Sequence, residues 1–423
     1  MSAATATYRR VIALGGPLLP VVSFLGRLPT AMCQLGSLLL VAETSGSLTT
    51  AGVVGGALAA GQTVAGPLIG RLADRHGQRP VVLTACWLNA VAVAVLVAAA
   101  LARTATPQLA LAGLLAGASV PQIGPLARTR LVALARRAGA DERTVAAALS
   151  FEGTLDEVSF VLGPALVGLA AAVAHPAVAL ALAALLLAVC GSAFALHRTA
   201  TVQGPATTST AARPARSRLP AGVYGMRASM ALQGAMFGAC QAGITALTGR
   251  LHQPEQAGLV YAAMGVMSAV VGLSLALVPA RIGLLTRWRA AGAALIVLSA
   301  PLLFVGTLGA LYLVVVALGV AFAPHLITVF ALTERAVPAH RLAESMAFLT
   351  SAVVGGQALA LAASGRLAEA HGPSAAFAVA VGAAVAILAI AVTARTTSRS
   401  GRISPGAAAP ADSVPSASAD HRP

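Results

Sequence analysis

Twelve stretches of about twenty mostly apolar residues follow one another along the chain, and nearly all charge is collected in the short segments between them. A hydrocarbon layer of about 30 Å needs roughly 20 apolar residues per helix. Read with that ruler, the stretches lie at about 17–41, 49–70, 81–101, 108–133, 147–170, 176–197, 221–248, 256–279, 288–307, 309–333, 344–368 and 373–395. Backbone polar groups cannot stay unpaired in lipid, and no period-2 alternation is present, so helices rather than barrel strands are expected. Only 10% of the 423 residues are charged, against 58% apolar. A soluble domain carries about 25% charged residues, so this chain could not cover a water-facing surface. The fold class is an all-α polytopic membrane protein of twelve transmembrane helices.

Charge placement tests that count. The net charge is +15, and all 28 basic residues are arginine. On a soluble protein such a charge would point to nucleic acid, but no basic stripe with interleaved aromatics exists, and no nucleic-acid partner is expected. With the N-terminus inside, 23 of the 28 arginines fall in cytoplasmic segments, Arg128 and Arg130 among them. Only Arg103, Arg250 and Arg366 fall outside, and Arg27 and Arg227 lie within spans. This is the positive-inside bias, and it places both termini in the cytoplasm. Arg9 and Arg10 before an apolar run could mimic a signal peptide, but no cleavage site follows, so an uncleaved first span is expected. Residues 1–16 read as a cytoplasmic tail, 17–197 as a first six-helix half, 198–220 as a cytoplasmic linker, 221–395 as a second half and 396–423 as a disordered cytoplasmic tail. Two halves joined by an inside linker form the plan of a transporter built from parallel repeats. Cys33, Cys86, Cys190 and Cys240 lie in apolar blocks without paired spacing, so neither disulfide nor metal site is expected, and no cofactor.

Between the second and third spans stands Gly70-Arg71-Leu72-Ala73-Asp74-Arg75-His76-Gly77-Gln78-Arg79. This segment resembles the signature loop of the major facilitator superfamily through Gly70, Leu72, Asp74, Arg75, Gly77 and Arg79, with Gln78 as its departure. Gly70 suits close helix approach and Gly77 a tight turn. Asp74 can accept charge-assisted hydrogen bonds from arginine or cap a helix end. The resemblance implies the superfamily fold and a loop that latches the halves in one facing state. A second copy, around Arg281–Arg287, lacks the aspartate.

In span five, Ser159, Gly163, Pro164 and Gly168 resemble the antiporter motif of drug-exporting facilitators, although Val167 breaks its glycine pair. Ordinary close packing in a glycine-rich helix is the plainer reading. Such exporters carry an arginine in span four; here Gly113-Leu114-Leu115-Ala116-Gly117 puts glycine in that place. Either coupling differs or another arginine serves.

Ionisable groups inside a membrane cost about 2.5–3.5 kcal/mol each on insertion scales and face a partner or a cavity. Arg27 lies within span one, and Glu152, Asp156 and Glu157 within span five. Glu152 and Asp156 share a helix face, whereas Glu157 points about 100° away. The expectation is that Arg27 pairs with Asp156 or Glu157 while a remaining carboxylate exchanges protons. A static ion pair is the alternative, and Glu152 could instead be hydrated near the inner end. Gln34, Gln122, Gln233, Gln241 and His325 occupy spans one, four, seven and ten, which in the superfamily line the central path; interhelical glue and a structural histidine are the bland alternatives.

The function expected is proton-coupled export of a small organic molecule across the cell membrane by a monomer in the lipid bilayer, with import by the same fold as the alternative. A membrane protein without transport is the remote one. No Walker sequence indicates ATP drive, and no catalytic constellation indicates an enzyme.

Overall fold

The apolar stretches become helices because a segment in lipid must pair its own backbone groups. The computed structural model describes residues 3–201, 219–253, 256–275 and 281–394, and among these no strand occurs. In chain order the helices are α1 (Ala3–Gly15), α2 (Leu18–Ser45), α3 (Leu48–His76), α4 (Gln78–Leu101), α5 (Thr106–Ala118), α6 (Ile123–Arg137), α7 (Glu142–Val173) and α8 (Pro176–Leu186). They continue as α9 (Ser192–Leu196), α10 (Ala221–Arg250), α11 (Gln256–Ser274), α12 (Leu284–Ser299), α13 (Leu308–Ala336), α14 (Leu342–His371) and α15 (Pro373–Thr393). A π turn, Leu187–Gly191, joins α8 to α9.

Among the described residues, 11 helical segments are long and apolar enough to cross a membrane. The expected seventh span, 221–248, is α10, a helix of 30 residues that is not one of them. Arg227, Gln233 and Gln241 lower its apolarity. The stretch expected as an N-terminal tail is largely helix α1. Most of the expected linker and tail lies outside the described residues, including Arg213, Arg216, Arg218, Arg395, Arg399, Arg402 and Arg422.

Helix ends follow local chemistry. Ser47 Oγ accepts from the Thr50 amide at the start of α3 (3.1 Å). Asp141 does the same for Thr144 at the start of α7 (2.9 Å), and the Thr144 hydroxyl and amide hold the Asp141 carboxyl below its ordinary range.

One span departs from expectation. The stretch 108–133 is not continuous but broken at Ser119–Gln122, between α5 and α6. The break lies about 20 Å along the span at 1.5 Å per residue. Pro121 is its cause: the ring offers no N–H and disfavours helical backbone at the residue before it. Gln122 then takes a φ of 53°. Freed carbonyls at this depth need donors, and Asn89 of α4 supplies one, donating to Ala116 O at 2.5 Å and Ser119 Oγ at 3.1 Å.

Helices α2–α9 and α10–α15 form two groups, each with its own apolar core. Leu28, Leu40, Val93 and Leu180 belong to the first, and Met264, Leu318, Phe322 and Phe377 to the second. The groups meet where α3 lies along α14 and α7 along α11 and α13. Large apolar side chains such as Val64, Val173, Leu313 and Leu359 are exposed on the outside, an arrangement that suits lipid rather than water. Inside each group, glycine permits the closest approaches. A Cβ on Gly117 of α5 would collide with the Leu58 carbonyl of α3, and one on Gly356 of α14 with the Ala231 carbonyl of α10.

Gly117→Val should therefore destabilise the protein by about 1–3 kcal/mol, seen as a lower melting temperature in detergent. Gly365→Ala, with nothing within 4 Å of its added Cβ, should leave that temperature unchanged or higher.

Candidate functional site

Three clusters of polar side chains stand out against this apolar background. The first closes one end of the bundle, the end at which the arginine-rich segments gather. Asp74, in the last turn of α3, accepts from the amides of Ala343 (3.1 Å) and Glu344 (2.8 Å) at the start of α14. An anion placed on free helix N-terminal amides is stabilised by both hydrogen bonding and the helix dipole. Asp74 thus fills one of the two roles open to it, the helix cap, and ties the two helix groups together. Gly70 allows it: an added Cβ would lie 2.6 Å from Ala343 O. Gly77 turns with a φ of 84°, whereas Leu72, Arg75 and Arg79 are exposed. Gln78, where the loop departs from the family pattern, is buried. It donates to Thr129 Oγ1 (3.0 Å) and accepts from Arg130 Nε (3.0 Å). At the same end, Arg136 meets Glu334 at 3.0 Å and Arg335 meets Glu142 at 2.8 Å, both between groups.

The second cluster joins α2, α6 and α7. Arg27 is 5% exposed. Its Nη2 reaches Glu152 Oε2 at 2.5 Å and its Nη1 reaches Asp156 Oδ1 at 2.7 Å. The Glu152 carbonyl, Ser23 O and Ser23 Oγ take the remaining donors, so all five guanidinium N–H groups are satisfied. Asp156 also pairs with Arg128. Arg27 thus holds Asp156 and Glu152 together, and Glu152 is buried rather than hydrated. Glu157 is not in this network. It is 8% exposed, and its Oε1 has no hydrogen-bonding partner among the described residues. It faces α11 near Ser268 and Tyr261.

Arg128 and Arg130 require a correction. They are not loop residues; both are buried on α6. The stretch 108–133 encloses them, and that position was the usable signal. Counting arginines near a span end as loop residues hides it. Arg128 also stacks at 3.7 Å on the ring of Phe330, from the other helix group. Arg130 stacks on Phe194 at 3.8 Å and donates to its carbonyl at 2.9 Å. The break in span four helps to build this site, because Gly124, at the start of α6, lies directly against Asp156.

The third cluster is in the second group. His325 Nδ1 lies 2.5 Å from Gln233 Oε1, and its Nε2 lies 2.8 Å from Ser229 Oγ and 3.2 Å from Trp288 Nε1. An indole N–H only donates, so Nε2 accepts and the ring proton sits on Nδ1, toward Gln233. Gln233 in turn donates to Phe322 O (3.1 Å). Every polar atom of the imidazole is engaged. Of the other candidates, Gln122 is buried against Gly66, and Gln34 and Gln241 are half-buried. Asn89, Ser229 and Trp288 were not legible as site residues; only the fold reveals what they face.

The span-five residues divide. Gly163 packs on α2, where an added Cβ would lie 2.7 Å from Ala31 Cβ. Ser159, one turn earlier, is buried with its hydroxyl on Leu155 O (2.7 Å). Pro164 lies within the helix, and Gly168 has nothing within 4 Å of a built Cβ.

A protein-family model described as Major Facilitator Superfamily matches residues 21–340. A search of curated proteins finds no match. Among solved structures, a bacterial homologue of the iron transporter ferroportin in its outward-facing state is similar with a TM-score of 0.71 and 16% identity, covering 89% of this chain and 98% of that one. The human organic anion transporter MFSD10 (TETRAN) is similar with a TM-score of 0.66 and 18% identity, covering 92% and 100%. The E. coli fucose:proton symporter FucP follows with a TM-score of 0.63 and 14% identity, covering 90% and 98%. At these identities the likeness is one of fold.

Removing one partner of a buried ion pair costs about 3–5 kcal/mol. Asp156→Ala should therefore lower thermal stability far more than Glu157→Gln, measured as melting in detergent. Gly163→Leu should be poorly tolerated and Gly168→Ala neutral by the same assay. Asp74→Asn should slow turnover in a transport assay while leaving the melting temperature within a few degrees of the parent.

Proposed function

This chain belongs to the major facilitator superfamily, and from that premise we propose that it is a proton-coupled exporter of a small organic molecule. Transport by this fold means alternating exposure of a path between two helix bundles. The topology proposed is twelve spans, α10 included, in halves of 17–197 and 221–395, with both termini in the cytoplasm of the cell and the arginine-rich end inside. The protein acts as a monomer.

The observation that carries the coupling is Glu157. Of Glu152, Asp156 and Glu157 it alone has no ion pair among the described residues, and it faces Ser268 on α11 of the other helix group. Burying an unpaired carboxylate as an anion is costly, and enclosing it as the neutral acid is far less so. Closure around Glu157 therefore goes with proton uptake, and hydration on opening goes with release. Glu152 and Asp156, held by Arg27 and Arg128, act as the fixed counter-charges. Arg128 supplies the span-four arginine that the Gly113–Gly117 stretch lacks, by a different position on the same span. The span-five motif supports the export direction.

Glu157→Gln should reduce accumulation driven by a pH gradient at least ten-fold in proteoliposomes, while exchange of labelled for unlabelled substrate continues. Gradient-driven transport that survives in both Glu157→Gln and Asp156→Asn contradicts the coupling. Substrate moving in the same direction as protons gives import instead.

A further inference from the structure

α1 lies outside the spans, yet it touches both helix groups. Tyr8 Oη donates to the carbonyl of Leu273 on α11 at 2.5 Å and lies 3.5 Å from Ser150 Oγ on α7. Ser150 Oγ in turn donates to the neighbouring carbonyl, Gly272 O. Both carbonyls belong to the last described turn of α11, and α1 and α7 donate to them from outside the helix. The Tyr8 ring packs beside Phe151 with centroids 6.1 Å apart.

Apolar contacts divide the same way. Val11 is buried with Leu131, Ala147 and Ala148 of the first group. Leu14 joins a cluster made by Val132, Ala135, Val145 and Leu149 of the first group with Ala331 and Leu284 of the second. Burial pushes the Tyr8 phenol above its ordinary range, so it stays a donor at physiological pH.

We infer that α1 is a strap across the arginine-rich end, with Tyr8 as its clasp, and that it biases the transporter toward the state closed at that end. Opening there requires α7 to part from α11. The Leu273 carbonyl then loses the Tyr8 hydroxyl, and the cluster around Leu14 is split. Tyr8 is thus a positioning residue of the cycle, acting on the opening equilibrium rather than on cargo. The inference rests on the transporter reading, but on neither proton coupling nor export.

The test uses the full chain in lipid nanodiscs, without substrate or pH gradient, and reads maleimide labelling with the parent background subtracted. Ile327→Cys, whose parent side chain packs on Gly153 between α13 and α7, reports the arginine-rich end. Gln241→Cys, half-buried toward the other end of α10, reports the opposite one. Tyr8→Phe keeps the ring and removes one hydrogen bond; labelling at Ile327→Cys should rise about five-fold, while labelling at Gln241→Cys falls. Deletion of residues 1–15 should act in the same direction and further. Unchanged labelling at Ile327→Cys in both variants overturns the strap, as does a rise at both reporters together, which signals general loosening. Because only the opening equilibrium is read, loss of the proton-coupling proposal would leave these outcomes unaffected.

Discussion

A guanidinium inside a bilayer must be paired, and in this protein that requirement fixes which helices meet. Arg27 satisfies all five of its N–H groups on α2 and α7, two of them on carboxylates. Asp156 then has one oxygen left for Arg128 on α6. The consecutive helices α6 and α7 and the distant α2 are joined through one carboxylate, and the break at Pro121 lets α6 start beside it. Breaking such a buried pair costs about 3–5 kcal/mol, so this network is suited to persist through a transport cycle. By using two of the span-five acids it leaves Glu157 without an ion pair among the described residues.

The contacts that close the arginine-rich end are of another magnitude. Arg335–Glu142, between the groups, is about half exposed at both ends, and a pair of that kind contributes about 0–1 kcal/mol. The Asp74 cap on α14 is comparable to a helix N-cap, about 0.5–2 kcal/mol. Each is small enough to be broken and remade, yet their directions are specific. The most deeply buried ion pairs, those of Arg27 and Arg128, lie within one helix group, while the ion pairs between groups each have an exposed partner. Rigid bundles that rock against each other require that division.

Much of this was legible in the sequence because hydropathy and arginine placement act locally. The helix ends fall close to the apolar stretches, Gly70 sits at a close helix approach, and Asp74 caps a helix end. Glu152 and Asp156 share a face, as their i,i+4 spacing requires. What was not legible depends on tertiary distance. Spacing alone could not decide whether Arg27 meets Asp156 or Glu157, because that choice is made by the rotation of α7 against α2. Arg128 and Arg130 lay hidden by the rule that assigns arginines near a span end to loops, although both sit deep on α6. Pro121 was a visible signal of the break in span four; Asn89, which satisfies the freed carbonyl, was visible only as one polar residue in an apolar run.

The central claim is that proton movement and cargo movement are coupled in opposite directions. Proteoliposomes containing the purified protein and an internal pH dye test it directly, with cationic, neutral and anionic compounds added in turn under an imposed gradient. The account predicts that at least one compound triggers proton flow opposite to its own movement, and that Glu157→Gln abolishes the signal. Cargo movement with no proton signal in the parent protein would contradict it and return the span-five acids to a purely structural role.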